Sequence, residues 1–392
     1  MGKWRGISSS LVLSAVLVAG VACSDDDPST VDTVDAGEVP TDTDAPDPAG
    51  ANTVAPDTDP PETAPPETTP PPPEWETIAA PADCMCAHGQ PFEFYVKKAD
   101  PTKVVFFLEG GGACFSVDTC RRGDAQTYKE DIGRPDQVGY SEGIWSDDER
   151  NPFLGWSFVF VPYCTGDVHL GTQTKDYGDG VVVEHKGNLN AKAALAAMAE
   201  TFPDATTLVV TGESAGSVPS PYYAGLASDL LPEARIAVLA DGSGAYPDIP
   251  GVNGAVSSNW GALGAVPDWP EAVGDTADDW SFPDLFVQTH RHAPDIVLAR
   301  HDYAFDQVQE FFAGIAGIPS DQLVQLIDQN ELQIEAAGTE LDSFISPGDS
   351  HTVLSSPQFF TEEVEGVLLY EWVTALVNFE SIEDVHCVEC NA

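Results

Sequence analysis

The sequence predicts an α/β fold in which a mostly parallel β-sheet carries helices on both faces, as one domain over residues 75–392. Short runs of β-branched and aromatic residues alternate with helical segments from Trp75 onward, and this alternation is typical of βαβ units. The chain has 392 residues, of which 42% are hydrophobic, enough for two domains or one large one. The polar segment that precedes Trp75 takes up part of this length and therefore favours one domain.

Five apolar runs have the length and composition of strands that are buried on both faces of a parallel sheet. These runs cover residues 104–108, 157–161, 207–211, 236–240 and 296–299. Three further segments predict helices, namely residues 190–202, 306–315 and the amphipathic segment 367–377. The first predicted helix lies between the strand runs 157–161 and 207–211, and the second follows the strand run 296–299. Parallel strands need such connections, because the chain must return to the starting edge of the sheet before the next strand begins.

The first residues have the pattern of an export signal. Lys3 and Arg5 supply a positively charged start, and the apolar stretch 11–21 is too short to span a bilayer comfortably. The stretch ends in a small residue followed by Cys23, which resembles the cleavage site of bacterial lipoproteins. We therefore expect a lipoprotein-type signal peptide over residues 1–22 and a lipid anchor on Cys23, with the exported protein at the outer membrane or cell surface. The alternative is an ordinary signal peptide followed by an unrelated cysteine.

Residues 23–74 predict a disordered acidic linker. The segment is rich in Pro, Thr, Asp and Ala and contains no Lys or Arg, so it cannot bury a hydrophobic core. Repeated prolines favour the extended polyproline II conformation, and the carboxylates repel one another. We expect this linker to hold the domain away from the membrane.

The charge balance limits the class of partner. The chain has 64 Asp and Glu residues against 16 Lys and Arg, which gives a formal net charge of −48. Nucleic acids and anionic lipids are repelled by such a charge. We therefore expect no nucleic-acid partner, and we favour a neutral substrate.

The eight cysteines of an exported chain are expected to form disulfides. With Cys23 lipidated, seven remain, so one thiol stays unpaired within the chain. Cys84 and Cys86 stand near the start of the domain and Cys387 and Cys390 at its end, which predicts disulfides between these two regions. Metal binding by these cysteines is the weaker alternative, because the chain lacks the two Cys-x-x-Cys pairs of a zinc ribbon; we expect no metal.

A candidate nucleophile follows the strand run 207–211. This run leads into Gly212-Glu213-Ser214-Ala215-Gly216 and then into a helical segment, the context of a nucleophile elbow. Glycines flank the serine because the turn is sharp and side chains there would clash with the neighbouring strand and helix. The elbow presents the hydroxyl of Ser214 near a helix N-terminus, where developing negative charge is favoured. The alternative is a tight strand-to-helix turn without chemistry.

A serine nucleophile needs a histidine as base and a carboxylate as the acid that orients it. In this fold the two follow the serine along the chain, the acid first and the histidine second. The histidines after the elbow are His290, His292, His301, His351 and His386. His351 lies in a loop that precedes the C-terminal helix, where the base belongs. Asp306 and Asp241 each follow a strand, and the pattern alone leaves both open as the acid.

A second glycine-rich loop completes the candidate site. The run 104–108 leads into Glu109-Gly110-Gly111-Gly112-Ala113-Cys114, and consecutive glycines after an early strand can direct main-chain N–H groups at a reacting oxygen. We expect Gly111, Gly112 and Ala215 to form the oxyanion hole. A phosphate-binding loop is excluded because no Gly-Lys-Ser/Thr follows.

Taken together, these motifs resemble the pectin acetylesterase and Notum family of carboxylic ester hydrolases. The segments that carry the resemblance are LEGGGACF at 108–115, PYCTGDVH at 162–169, GESAG at 212–216, FDQVQ at 305–309 and the His351 loop. The resemblance implies an α/β-hydrolase-like fold with one catalytic domain. It also implies that Asp306 is the acid, that Asp241 belongs to a structural turn, and that Cys114 and Cys120 form a disulfide.

The sequence therefore predicts a serine carboxylic ester hydrolase with the triad Ser214, Asp306 and His351 and with no cofactor. By analogy with the family, the expected substrate is an O-acetyl or other short acyl ester on an extracellular carbohydrate, such as an acylated polysaccharide. Two alternatives remain, a lipase-like deacylase of longer acyl chains and a catalytically idle surface lipoprotein that binds carbohydrate or a partner. His169 could line the pocket or could stabilise its own turn.

Overall fold

The structure is a computed structural model that describes residues 74–276, 279–319, 322–388 and 390. The predicted signal peptide, the lipidated Cys23 and the linker up to residue 73 lie outside the described residues. No helix in the described ranges has the length and apolar character needed to cross a membrane.

A nine-stranded sheet forms the centre of the domain, accompanied by two sheets of two strands each. The strands are β1 (Trp75–Ala79), β2 (Glu93–Lys97), β3 (Asp100–Leu108), β4 (Trp156–Val161), β5 (Gln173–Gly178), β6 (Val181–His185), β7 (Thr207–Glu213), β8 (Arg235–Asp241), β9 (Val297–Tyr303), β10 (Asp342–Ser346), β11 (Glu363–Val364), β12 (Val367–Leu368) and β13 (Val385–His386). The central sheet has the order β1-β2-β4-β3-β7-β8-β9-β10-β13, and β5-β6 and β11-β12 form the small sheets. Within the central sheet, β4, β3, β7, β8, β9, β10 and β13 pair in parallel, whereas β1 pairs antiparallel with β2 and β2 pairs antiparallel with β4. The carboxyl ends of the parallel strands therefore meet at one edge, where open α/β sheets carry their sites.

Helices cover both faces of the central sheet. They are α1 (Val117–Cys120), α2 (Gly187–Thr201), α3 (Ser220–Leu230), α4 (Pro250–Trp260), α5 (Phe282–His292), α6 (Gln307–Ile315), α7 (Leu323–Ala336) and α8 (Leu369–Val377). Alternate residues of β3 face opposite sides, so that Phe106 packs in the cluster containing α2 and α3 residues, and Phe107 in the cluster containing α8 residues. Each such fully buried side chain contributes roughly 1.5–3 kcal/mol. The predicted α/β fold is confirmed.

All five predicted strands are present, as β3, β4, β7, β8 and β9. The predicted helix 190–202 begins earlier, at Gly187, where the buried Asp167 carboxylate accepts the otherwise unpaired Gly187 N–H at 2.8 Å. The helix predicted over 367–377 begins only at Leu369. Gly366, with φ +87°, turns the chain so that β12 pairs with β11.

The predicted disulfides between the two ends of the domain are wrong. Cys86 pairs with Cys164, and Cys387 pairs with Cys390. The strands β1 and β13 lie at opposite edges of the sheet, roughly 40 Å apart for eight strand spacings, so cysteines beside them cannot meet. Among the described cysteines, Cys84 is unpaired; it is buried, and burial raises its pKa to about 11.

Candidate active site

Ser214 occupies a strained turn at the end of β7. Its φ is +53°, a left-handed value that a serine rarely adopts. A Cβ at Gly216 would lie 2.0 Å from the Leu108 carbonyl oxygen, and one at Gly212 would lie 2.5 Å from the Gly216 oxygen. Only glycine fits at both flanking positions, as the motif predicts. A 3-10 turn over Ser214–Gly216 intervenes before α3, so the long helix begins six residues later than the serine.

His351 and Asp306 meet at the carboxyl edge of the sheet. Oδ2 of Asp306 lies 2.6 Å from Nδ1 of His351 and 3.0 Å from the side-chain nitrogen of Gln309. Oδ1 of Asp306 caps α6 by accepting the N–H groups of Val308 and Gln309. Because the carboxylate accepts from Nδ1, Nε2 is left as the nitrogen that can take a proton. Nε2 is buried and has no hydrogen-bond partner among the described residues.

Asp241, the competing acid, has other partners. One carboxylate oxygen accepts the N–H groups of Val353 and Leu354 at 2.8 and 2.9 Å. The other lies 2.8 Å from Nδ1 of His301. Asp241 therefore anchors the loop that carries His351 and does not contact the imidazole of His351 itself.

The loop of His351 approaches the elbow through Gly242. A Cβ at Gly242 would lie 2.7 Å from the His351 carbonyl oxygen and 3.5 Å from its ring Cε1. Gly242 lines the same pocket as Ser214. The His351 loop therefore packs against Gly242, which lines this pocket with Ser214, while His351 itself is not among the lining residues.

The glycine-rich loop after β3 reaches the same pocket in part. Gly112 and Ala215 line it together with Ser214, whereas Gly111 does not. The Lys129 N–H donates to the Gly111 oxygen, and the Ala113 N–H donates to the Thr127 oxygen. Neither bond uses the N–H of Gly112, which is therefore available as an oxyanion donor. Its φ of +74° and a Cβ position 2.1 Å from the Thr127 oxygen explain why this residue is glycine.

A partly buried ion pair and a neutral histidine fix this loop. Glu109 pairs with Lys129 and accepts the Tyr163 N–H at 2.9 Å. Nε2 of His169 lies 2.9 Å from the Glu109 carbonyl oxygen, to which it can donate. Burial lowers the pKa of His169 to about 4, so the ring is neutral at pH 7. His169 is not among the pocket-lining residues, and it stabilises the turn. The implied disulfide is also present, between Cys114 and Cys120.

An apolar cavity of about 180 Å³ opens beside Ser214. Its walls come mainly from α4, from α6 and the residues after it, and from the glycine-rich loop. The apolar side chains that line it are Ala113, Phe115, Val168, Ala215, Val218, Val252, Ala255, Val256, Trp260, Phe282, Phe312, Ile315, Ala316 and Ile318, with Tyr246 alongside. The sequence patterns predicted α6 but not α4, because the α4 segment has weak helical periodicity.

A shallow open groove adjoins this cavity. It is lined by Phe305, Gln307, Glu310, Phe311, Gly314, Ile315 and Asp349. Ile315 lines both the groove and the cavity, so the two share this side chain as a wall. The amide of Gln307 donates to Asp349 at 2.6 Å, which places polar groups on one side of the groove.

The remaining histidines lie elsewhere. His292 contacts Asp229 and stacks on Trp269, and His386 lies 3.5 Å from Glu331. Ligand-type atoms of Glu331, Asp384 and His386 lie within 4.8 Å of one another, at the β13 edge of the sheet, whereas Ser214 follows the central strand β7. No part of the candidate active site depends on this cluster.

The strand order and the helices on both faces of the central sheet define an α/β-hydrolase-like fold. Comparison with known families agrees: the family model for pectinacetylesterase matches residues 76–261. Pectin acetylesterase 5 of Arabidopsis thaliana is 28% identical over 38% of this chain and 35% of its own length. The inactive palmitoleoyl-protein carboxylesterase notum1b of Danio rerio is 34% identical over 27% of this chain and 76% of its own.

Solved structures show the same fold. The Wnt deacylase Notum from Drosophila superposes with a TM-score of 0.57 at 15% identity, over 81% of this chain and 97% of that one. The chain belongs to the pectinacetylesterase family, which includes Notum. The sequence alignment spans about a third of the length of the Arabidopsis relative.

Proposed function

We propose that the protein is a serine carboxylic ester hydrolase with Ser214 as nucleophile, His351 as base and Asp306 as the acid that orients the base. The observation that carries the proposal is the 2.6 Å hydrogen bond between His351 and Asp306, beside a pocket whose wall includes Ser214 on a strained turn. Family membership supports the same reaction class.

In the proposed mechanism, Nε2 of His351 takes the proton of Ser214 as its Oγ attacks the ester carbonyl carbon. The carbon–oxygen bond to the alcohol then breaks, and the alcohol leaves with the proton from His351. A water molecule, deprotonated by the same nitrogen, releases the acid from the acyl-enzyme. The N–H groups of Gly112 and Ala215 stabilise the oxyanion, each by about 3 kcal/mol, with Gly111 as the third predicted donor.

The cavity supports a longer acyl group than the acetyl group expected from the sequence. An apolar cavity of about 150 Å³ can hold a benzene molecule, so about 180 Å³ accommodates an acyl chain of roughly six carbons. Acetyl would leave most of this apolar wall in contact with water. The lining thus supports the alternative of a longer-chain deacylase over a short-chain acetylesterase.

The adjoining groove suits the alcohol part of the ester. Gln307, Glu310 and Asp349 offer polar groups for hydroxyls, and Phe311 offers a half-exposed ring on which a sugar face can pack. We propose an acylated carbohydrate or another hydroxyl-rich alcohol as the substrate.

Export and membrane attachment through Cys23 remain part of the proposal. Three disulfides, Cys86–Cys164, Cys114–Cys120 and Cys387–Cys390, suit a protein that works outside the reducing cytosol.

The test is a chain-length series of p-nitrophenyl esters, from acetate through hexanoate to palmitate, with the wild type and the Ser214→Ala variant. We expect kcat/KM to be highest for hexanoate, and Ser214→Ala to abolish hydrolysis of every ester. Ser258→Ala, an exposed position on α4, is the matched control and should match the wild type. Hydrolysis of none of the esters by the wild type would overturn the proposed reaction. Highest activity on acetate would restore the short-acyl prediction.

A further inference from the structure

A second, smaller apolar cavity lies close to the cavity that Ser214 lines. Its volume is about 30 Å³, against about 180 Å³ for the cavity at Ser214. Its walls include Leu170, Ala265, Val266 and Leu285. We call it the rear cavity, and the one at Ser214 the front cavity. The proposed mechanism uses the front cavity and leaves the rear cavity without a role.

The two cavities lie back to back. Three chain segments contribute one residue to each cavity, and the two residues stand two positions apart in the sequence. These pairs, with the front residue first, are Val168 and Leu170, Trp260 and Ala262, and Phe282 and Trp280. Because two residues span at most about 7 Å, roughly one layer of side chains separates the front cavity from the rear cavity.

Helix α4 contributes to this layer. Val252 and Ala255 line the front cavity, and Asn253 and Ser257 line the rear cavity. At 3.6 residues per turn, Val256 points between these two helix faces. Among the described residues, Val256 is the one that lines both cavities. Its side chain therefore forms a partition between them.

This partition is held in place. A valine in a helix has one strongly preferred side-chain rotamer, and Val256 packs against the main hydrophobic core. The end of α4 is fixed through Trp260, whose indole N–H donates to the Cys114 oxygen at 2.8 Å and whose carbonyl oxygen accepts the Thr172 N–H at 2.9 Å. An alkyl chain that fills the front cavity thus meets a side chain that cannot turn aside.

The rear cavity suits a hydrocarbon chain. Three polar side chains on its wall already have hydrogen-bond partners. These bonds run from the Tyr222 hydroxyl to the Ala265 oxygen at 2.7 Å, from the Asn253 amide to Asp248 at 2.6 Å, and from the Trp280 indole N–H to Asp275 at 3.1 Å. A hydrocarbon chain in this cavity would therefore leave these donors paired.

We propose that Val256 sets the upper limit on acyl chain length by closing the front cavity, and that a longer chain enters the rear cavity once this side chain is shortened. The inference rests on the proposed function, in which the acyl group fills the front cavity. Val256→Ala removes two carbons, and the rear cavity adds room for about one more on the scale of benzene in its cavity. The variant should accept acyl chains longer by two to three carbons.

The test measures kcat/KM for p-nitrophenyl hexanoate and octanoate. The ratio of the octanoate value to the hexanoate value is used, because general damage to the site cancels in it. Two more buried methylenes at about fourfold each should raise this ratio about tenfold in Val256→Ala relative to the wild type. An unchanged ratio overturns the inference.

Val252→Ala is the matched control. It deletes the same atoms from the same helix, at a position that lines the front cavity and not the rear one. The octanoate-to-hexanoate ratio should rise less than about threefold in this variant, because no second cavity lies behind the deleted atoms. An equal rise in both variants would show that added room in the front cavity is enough, and would overturn the role of the rear cavity.

Refilling the rear cavity should reverse the effect. Ala265 is buried and lines the rear cavity and not the front one, so Ala265→Val adds two carbons to the space that the longer chain would enter. In the double variant Val256→Ala/Ala265→Val, the octanoate-to-hexanoate ratio should return to within about threefold of the wild type. A double variant that keeps the full gain contradicts the inference.

A binding measurement separates this inference from the proposed function. Isothermal titration calorimetry with 1-hexanol and 1-octanol, on Ser214→Ala and on Ser214→Ala/Val256→Ala, needs no reaction. The preference for 1-octanol over 1-hexanol should be about tenfold greater in the double variant. An unchanged preference overturns the inference even if esters are hydrolysed. A greater preference without hydrolysis of any ester supports the partition and overturns the proposed reaction alone.

Discussion

At the residue scale, two carboxylates serve the loop of His351 in different ways. Asp306 binds the imidazole nitrogen directly and caps α6 with its other oxygen. Asp241 binds the main chain two and three residues beyond the histidine. The first contact sets the tautomer of the proposed base, and the second sets the position of the loop.

Replacement of Asp306 by Asn should remove catalysis and spare the fold. Asn can still cap α6, but its amide favours the wrong tautomer of His351, which lowers kcat by about 10³–10⁴ in triads of this kind. Steady-state kinetics with p-nitrophenyl hexanoate and a thermal unfolding scan measure the two effects. A kcat within tenfold of the wild type would contradict the assignment of Asp306.

Replacement of Asp241 by Asn should instead destabilise the domain. The Asn amide would face either His301 or the buried N–H groups of the loop, and leaving such groups unpaired costs about 2–4 kcal/mol in total. Urea unfolding of Asp241→Asn measures the loss. Asp295→Asn, an exposed position, is the control. Equal stability of Asp241→Asn and the control would contradict the role given to Asp241.

At the element scale, the proposed catalytic groups come from strand ends, and most of the pocket wall comes from helices. Ser214 follows β7, and the loops after β9 and β10 carry Asp306 and His351. The helices α4 and α6 supply most of the apolar wall. In the proposed mechanism, reaction type and acyl preference thus depend on different elements, so a change in α4 should alter the acyl preference and leave the reaction type unchanged.

Filling the pocket from α4 should change the acyl preference. Ala255→Phe places a ring among apolar residues of the cavity wall, so kcat/KM for hexanoate should fall about tenfold or more while that for acetate falls less than about threefold. The same chain-length series measures this. Gly254→Ala, where an added Cβ has no atom within 4 Å, is the control on the exposed side of α4. Equal losses for both esters would contradict the placement of the acyl chain.

The sequence predicted the elements whose signal is local. The strand runs, the glycine-flanked Ser214 and the loop of His351 each have a pattern within a few residues, and all are present. The choice between Asp306 and Asp241 required the family resemblance, because both follow a strand. The pairing of Cys86 with Cys164 could not be predicted, since it depends on which strands are neighbours in the sheet.

At the scale of the whole molecule, the dominant property is negative charge. The formal net charge of −48 produces a long-range field that repels anionic substrates and leaves neutral ones unaffected. The field is screened within about 8 Å at physiological ionic strength. Substrate charge should therefore control the salt dependence of the reaction.

The salt prediction uses two hexanoate esters that differ only by a carboxylate on the alcohol part. Between low and high NaCl, kcat/KM for the neutral ester should change less than about twofold, and that for the anionic ester should rise several-fold as repulsion is screened. Stopped-flow or steady-state rates over this range measure both. The same salt response for the two esters would show that the net charge does not act on substrate approach.

The central claim is that Ser214 is the nucleophile activated by His351 and Asp306. Its most direct test is reaction with an alkyl fluorophosphonate, which attaches covalently to an activated serine, followed by mass spectrometry of the digested protein. The account predicts one adduct on the peptide that contains Ser214, loss of esterase activity in step with labelling, and neither labelling nor activity in Ser214→Ala. An adduct on a different serine, or esterase activity that survives in Ser214→Ala, would contradict it.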